Sequence, residues 1–175
     1  IADNAGVGTI VNPPPAVPAI SVAGTTINEG GAPSLLPAGF LSTKGNQIVD
    51  ANGNPVRIAA VNWFGMETSL FAPHGLWAQN YQSMMRQMVS LGFNAIRLPF
   101  SLQAFNATSV PNGIDFGKNP DLQGLSAIQI LDKIVSYAGQ IGLKIILDDH
   151  RSAAGSGPNG NVLFYDAAYT ETQWI

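Results

Sequence analysis

The chain has 175 residues, of which 46% are hydrophobic and only 11% are charged, and its formal net charge is −3. This apolar content is sufficient for the core of one domain, while the scattered basic residues exclude the positive surface of a nucleic-acid-binding protein. The absence of cysteine excludes disulfide scaffolds, zinc–thiolate sites and thiol nucleophiles. A surface so poor in charge must rely on neutral polar side chains, which we associate with secreted proteins that act on neutral substrates.

The first 38 residues differ in composition from the rest of the chain. They are rich in Gly, Ala, Pro, Thr and Val, and three consecutive prolines at 13–15 favour an extended polyproline conformation. We predict a linker or arm over 1–38, with residues 25–28 extended, and a second region over 39–175; the alternative is that the arm supplies an N-terminal strand of the fold. No run of 18 apolar residues exists, so we expect no membrane partner. The chain starts without a methionine or a leader, which suggests a processed secreted protein or a fragment.

From residue 40 onward the pattern predicts alternating strands and helices. Two turn-rich stretches at 44–46 and 50–55 predict a hairpin, followed by a buried strand over 58–62. Apolar residues at helical spacing predict helices over 80–91 and 124–141, each closed by a glycine. Strands are predicted over 93–99 and 143–147, the second apolar enough to be covered on both faces, and 170–175 resembles the start of another helix.

The element order, hairpin then β, α, β, α, β, indicates an α/β fold with a parallel sheet. Long loops follow the predicted strands, at 64–79, 100–123 and 148–169, whereas the connections from helix to strand are short. This asymmetry favours a (β/α)₈ barrel, of which the chain would hold the hairpin and about the first three βα units, over a doubly wound open sheet.

Polar side chains follow the predicted strands at the points where they end. Arg97 closes the second strand, and the third runs into Asp148 and His150. In a barrel these ends converge, so the guanidinium can orient a carboxylate and the histidine can donate to a substrate hydroxyl. The alternatives are a structural ion pair for Arg97 and a loop histidine without a role for His150. We expect Asp148 to bond the backbone or Arg97.

The loop before the first helix contains His74 and Trp77. An exposed tryptophan would offer a flat face on which a sugar ring can stack, and the alternative is a hydrophobic staple against the helix start.

The GxGxxG spacing at 155–160 lies too far from its strand, contains a proline and precedes no helix, so we predict no nucleotide site. The Asp50 stretch lacks the glycine and glutamate of a calcium loop and is predicted to be a turn. The two histidines, 76 positions apart, predict no catalytic metal.

Several segments together resemble one enzyme family. They are GNQIVDANGNPVRIAAVNWFGMET, HGLW, LGFNAIRLPF, DLQGLSAIQILDKIVSYAGQIGLKIILDDHR and TQWI. From about residue 41 to 175 the chain is similar to the N-terminal part of secreted endoglucanases (cellulases) of glycoside hydrolase family 5. The resemblance implies a (β/α)₈ barrel without a cofactor that hydrolyses β-1,4-glucan, or alternatively β-mannan, with retention at the anomeric carbon. It makes region 39–175 the N-terminal portion of that catalytic barrel, with the remainder of the barrel as its partner.

The resemblance also implies roles for individual residues. Arg97 occupies the place of the arginine that supports the nucleophile, and His150 that of the histidine that contacts the sugar. Trp77 matches an aromatic residue of the substrate cleft, and Trp63 and His74 are further candidates for substrate contact. Close relatives often carry a basic residue where Asp149 stands, so contacts beside His150 are expected to differ.

Neither catalytic carboxyl group of the family is expected within this sequence. Retaining hydrolysis needs two carboxyl groups roughly 5 Å apart, one acid/base and one nucleophile. In the family these are glutamates after the fourth strand and at the end of the seventh. The three glutamates here, Glu29, Glu67 and Glu171, stand in neither motif. One hypothesis is therefore a part of a longer glycosidase; the other is an inactive fragment or carbohydrate-binding remnant.

Overall fold

The computed structural model describes residues 19–22, 25–28, 35–157, 165 and 167–174. The chain divides into two compact units, residues 1–32 and 33–175. In the first unit, strands β1 (Ala19–Val22) and β2 (Thr25–Asn28) pair antiparallel, which confirms the extended conformation predicted for 25–28. The polyproline prediction for 13–15 lies outside the described residues. The predicted boundary between residues 38 and 39 stays a prediction.

A small antiparallel hairpin opens the main part of the second unit, as predicted. Strands β3 (Ser42–Lys44) and β4 (Gln47–Val49) pair around a turn at 45–46. The next turn is built on Asp50, whose Oδ1 accepts the N–H groups of Asn52 and Asn54 at 2.9 and 2.8 Å. The Asn54 N–H, more than any other group, holds the pKa of Asp50 below its ordinary value. The prediction of a turn here is confirmed.

Three parallel strands form the central sheet in the order β5–β6–β7. They are β5 (Ala60–Asn62), β6 (Ala95–Ser101) and β7 (Lys144–Arg151). In this register Asn62 pairs with Arg97, and Arg97 pairs with Ile146. Residues that pair in register point their side chains to the same face of the sheet. Side chains near the carboxyl ends of the three strands can therefore meet on one face.

Two helices cover the sheet, and both begin at side-chain caps. Helix α1 (Tyr81–Ser90) begins after Asn80, whose side chain accepts the Ser83 N–H. Helix α2 (Ala127–Ile141) begins at a reciprocal capping box between Ser126 and Gln129. Single 3₁₀ turns, Leu102–Phe105 and Pro120–Leu122, lie in the long loop between β6 and α2, and Glu171–Trp174 forms a short helix α3. No helix among the described residues is both long and apolar enough to cross a membrane.

The core lies between the sheet and the two helices, and β6 is its central strand. Fully buried side chains come from all layers, for example Met85, Ile96, Leu98, Ile130 and Ile134. The two outer strands are less covered than predicted. Exposures are 41% for Ile146 and 54% for Leu147, so the prediction that 143–147 is covered on both faces is wrong. Similarly, β5 is largely exposed instead of buried. The reason is that both strands are edges of this sheet, whereas β6 has a neighbour on each side.

Candidate active site

A cluster of polar side chains lies at the carboxyl ends of the three parallel strands. Asn62 ends β5, Arg97 lies within β6, and Asp148 and His150 lie near the end of β7. The parallel register brings these four side chains together, although as many as 88 positions separate them in sequence. The convergence predicted for the strand ends is therefore observed.

Arg97 is held by partners from both neighbouring strands. Its Nη2 donates to Asp148 Oδ2 at 2.5 Å and lies 3.2 Å from His150 Nδ1, while Nη1 donates to Asn62 Oδ1 at 3.4 Å. The expected bond between Asp148 and Arg97 is thus confirmed. The side chains of Arg97 and Asp148 are 33% and 27% exposed, so the ion pair is partly desolvated and open on one side. A guanidinium has five N–H donors, so a guanidinium fixed in this way can also donate to a further carboxylate if one is placed nearby.

His150 occupies an irregular position at the end of β7. Phe100 pairs with Asp149 and Ser101 pairs with Arg151, so His150 is the extra residue of a β-bulge. Bulges re-aim side chains and are frequent beside active sites. The ring lies beside Asp148, two residues earlier on the same strand, with Nδ1 2.9 Å from Oδ2. Nδ1 therefore lies between the Asp148 carboxylate and the Arg97 Nη2 donor, and these two contacts leave Nε2 unused.

Three rings form a row in the loop after β5. The Phe64 and His74 rings stack with their centroids 4.3 Å apart, and the Trp77 ring lies nearly perpendicular to that of His74 with the centroids 4.2 Å apart. Phe64 and Trp77 are 48% and 45% exposed, so both present apolar faces to solvent. We call Phe64, His74 and Trp77 the aromatic row. The exposure of Trp77 suits the predicted stacking face better than a buried staple, although sugar contact itself stays a prediction.

Trp63 lies beneath this row instead of within it. Its side chain is only 4% exposed, and its indole N–H donates to the His74 carbonyl at 2.8 Å. Trp63 therefore packs in the core and fixes the loop that carries His74. A direct contact between Trp63 and a substrate stays a prediction, which this burial does not favour.

Sequence patterns alone did not identify Phe64, although it belongs to the aromatic row. A phenylalanine directly after a strand normally indicates core, and its outward orientation depends on the contact with His74 ten positions later. Within the part of the chain that the structure describes, no group of three or more His, Asp or Glu side chains could hold a metal ion. The prediction that no nucleotide binds at 155–160 stays a prediction, because residues 158–160 lie outside the described part of the chain.

Most of this chain is similar in sequence and in structure to known proteins. The sequence profile described as cellulase (glycosyl hydrolase family 5) matches residues 49–175. The chain belongs to glycoside hydrolase family 5. It is 45% identical over 137 residues to an endoglucanase of Paenibacillus polymyxa, and 44% identical over 130 residues to the major extracellular endoglucanase of Xanthomonas campestris pv. campestris. These alignments cover 78% and 74% of this chain but only 34% and 26% of the relatives, so the chain spans about a third or less of their length.

Solved structures of this family show the same architecture. The catalytic domain of the Xanthomonas campestris enzyme matches with a TM-score of 0.68 and 41% identity, over 77% of this chain and 38% of that one. An endocellulase of Pyrococcus horikoshii, solved in complex with cellotetraose, matches with a TM-score of 0.67 and 38% identity, over 77% and 36%. Family 5 catalytic domains are (β/α)₈ barrels, and the strands β5 to β7 with α1 and α2 form part of one. The predicted fold class is confirmed, and the doubly wound alternative is set aside.

Proposed function

We propose that this chain contributes the first strands of the catalytic barrel of an endo-β-1,4-glucanase that hydrolyses cellulose or β-glucan with retention. The observation that carries the proposal is the Arg97–Asp148–His150 cluster at the strand ends of a family 5 sheet, together with the aromatic row in the loop that follows β5. Relatives with 44–45% identity are named endoglucanases, and one related endocellulase was crystallised with cellotetraose. A β-mannanase of the same family is the alternative.

The composition and the aromatic row support a neutral polysaccharide as the substrate. The apolar C–H faces of a pyranose ring pack well against flat aromatic faces, and Phe64 and Trp77 offer two such faces on either side of His74. With only 11% charged residues, the chain offers little for binding a charged polymer. Secretion is also part of the proposal, because a polymeric substrate lies outside the cell and a related enzyme is called extracellular.

In this proposal the chain's own residues support the chemistry and do not cleave the bond. Arg97 would donate to the nucleophilic carboxylate, keep it ionised and fix its orientation, while Asp148 holds the guanidinium in place. His150, held by Asp148, would bond a sugar hydroxyl through Nε2. The acid/base and nucleophile carboxyl groups would come from the rest of the barrel, since the three glutamates of this sequence lie outside the family's two motifs.

A complete barrel tests this proposal directly. We would join the chain to the remaining catalytic domain of the similar Paenibacillus polymyxa endoglucanase and assay this chimera on carboxymethyl-cellulose and on β-mannan. We expect a rapid fall in viscosity of carboxymethyl-cellulose with little release of reducing ends, which is the mark of internal cleavage. Faster action on mannan would favour the alternative substrate, and inactivity of a folded chimera on both polymers would refute the proposal.

The second hypothesis is an inactive or carbohydrate-binding remnant, and it is tested on the 175-residue chain itself. Affinity electrophoresis of the 175-residue chain in gels containing carboxymethyl-cellulose would distinguish an inactive remnant from a carbohydrate-binding one. Retardation of the chain would indicate binding without catalysis, and unchanged mobility would indicate that glucan binding needs the complete barrel.

A further inference from the structure

The side chain of Glu67 is buried at a point where three loops meet. The residue is 9% exposed, and its Oε2 accepts the Gly65 N–H at 2.6 Å. Its backbone carbonyl accepts the Gly155 N–H at 3.0 Å, in the loop that follows β7. The preceding residue, Met66, pairs with Phe100 at the end of β6. Glu67 therefore ties the loop after β5 to the ends of the other two strands.

The hydrogen bond from the Gly65 N–H to Glu67 orients the peptide group that joins Phe64 and Gly65. The Gly65 N–H and the Phe64 carbonyl belong to the same planar unit, and that carbonyl accepts the His74 N–H at 2.8 Å. The carboxylate of Glu67 thus holds one end of this peptide while His74 holds the other. Fixing the N–H also fixes the direction of the carbonyl, and with it the position of His74 relative to Phe64.

The backbone at this point leaves no room for a side chain at residue 65. Gly65 has a φ of 131°, and a Cβ there would lie 2.4 Å from the Ala72 oxygen and 2.6 Å from the His74 nitrogen. The two passes of the loop are therefore in direct backbone contact, which requires glycine. A charge-assisted hydrogen bond to a buried carboxylate is about twice as strong as a neutral one, so Glu67 is well suited to hold this conformation.

We propose that Glu67 is a positioning residue for the aromatic row: it fixes the Phe64–Gly65 peptide and thereby sets glucan affinity without taking part in bond cleavage. The positioning itself follows from the contacts of the loop. Only the identity of the ligand rests on the proposed function.

The first experiment measures the loop without any ligand. In the 175-residue chain, amide hydrogen exchange at His74 would be compared among the native protein, Glu67→Ala, Glu67→Gln and the matched control Glu171→Gln, which makes the same change at an exposed site. Loss of a charge-assisted bond should speed His74 exchange about tenfold in Glu67→Ala, and the neutral amide should restore most of the protection. Native exchange rates at His74 in both Glu67 variants would overturn the proposal.

The second experiment measures substrate affinity in the chimeric barrel. With cellotetraose we expect KM to rise about tenfold in Glu67→Ala and about threefold in Glu67→Gln, while kcat stays within about twofold of the native value. A fall in kcat at constant KM would overturn the positioning role. If Glu67→Ala does not fold, Glu67→Gln decides alone, and native values of both KM and His74 exchange would refute the idea. An inactive native chimera with altered His74 exchange would refute the proposed function and support the positioning.

Discussion

Replacing Asp148 by asparagine tests how much the ion pair at the strand ends stabilises the sheet. The carboxylate accepts from Arg97 at 2.5 Å and contacts His150 at 2.9 Å, and both it and the guanidinium are about a third exposed or less. Exposed pairs contribute about 0.2–1 kcal/mol and breaking a buried pair costs about 3–5 kcal/mol, so this intermediate burial suggests a loss of about 2 kcal/mol. Asparagine keeps the volume and one acceptor, so the effect isolates the charge.

Thermal and urea unfolding followed by circular dichroism would measure this loss. For a chain of this size about 2 kcal/mol corresponds to a fall in Tm of roughly 4–8 °C. Asp132→Asn provides the matched control, because it makes the same change on the exposed face of α2 and should leave the Tm within about 1 °C. If Asp148→Asn has the same Tm as Asp132→Asn, the ion pair contributes nothing to stability, and its partial burial is no guide to its contribution.

Three further outcomes are expected. Ser126→Ala removes the capping box with Gln129 and should lower the free energy of unfolding by about 1 kcal/mol in urea titrations; an unchanged midpoint would contradict the role of the cap. The Asn54 N–H lowers the pKa of Asp50 below 3.8, so the ionised Asp50 side chain stabilises the fold above that pH. This stabilisation is lost as the pH falls through the lowered pKa. Asp50→Ala should therefore flatten the acid limb of a curve of unfolding free energy against pH. Trp77→Ala should weaken cellotetraose binding to the chimera about tenfold with an unchanged Tm, as titration calorimetry can check.

Local signals in the sequence predicted the elements of the second unit well. The observed bounds of α1, Tyr81–Ser90, lie within one residue of the prediction, and α2 ends at Ile141 as predicted but begins at Ala127, three residues later than predicted. A bond between Arg97 and Asp148 was among the predicted partners of Asp148, and the parallel pairing of β6 and β7 brings the two residues together.

Features that depend on contacts between distant loops could not be predicted. The register of β7 against β6 shifts next to His150, and no residue type marks this shift. Trp63 and Phe64 are adjacent aromatic residues, yet one is buried and the other is half exposed. Their difference depends on His74, whose carbonyl takes the Trp63 indole N–H and whose ring stacks on Phe64. The exposed edges of β5 and β7 likewise follow from which strands are present as neighbours.

We propose that Arg97 supports carboxyl chemistry supplied by the rest of a family 5 barrel. Reducing-sugar release from carboxymethyl-cellulose tests it in three samples: the 175-residue chain, the chimeric barrel, and the chimera carrying Arg97→Ala. We expect no release from the chain alone, release from the chimera, and a loss of about 10²-fold or more on removing a group that stabilises charge in the site. Reducing sugar from the chain alone, or full activity of the folded Arg97→Ala chimera, would contradict the account.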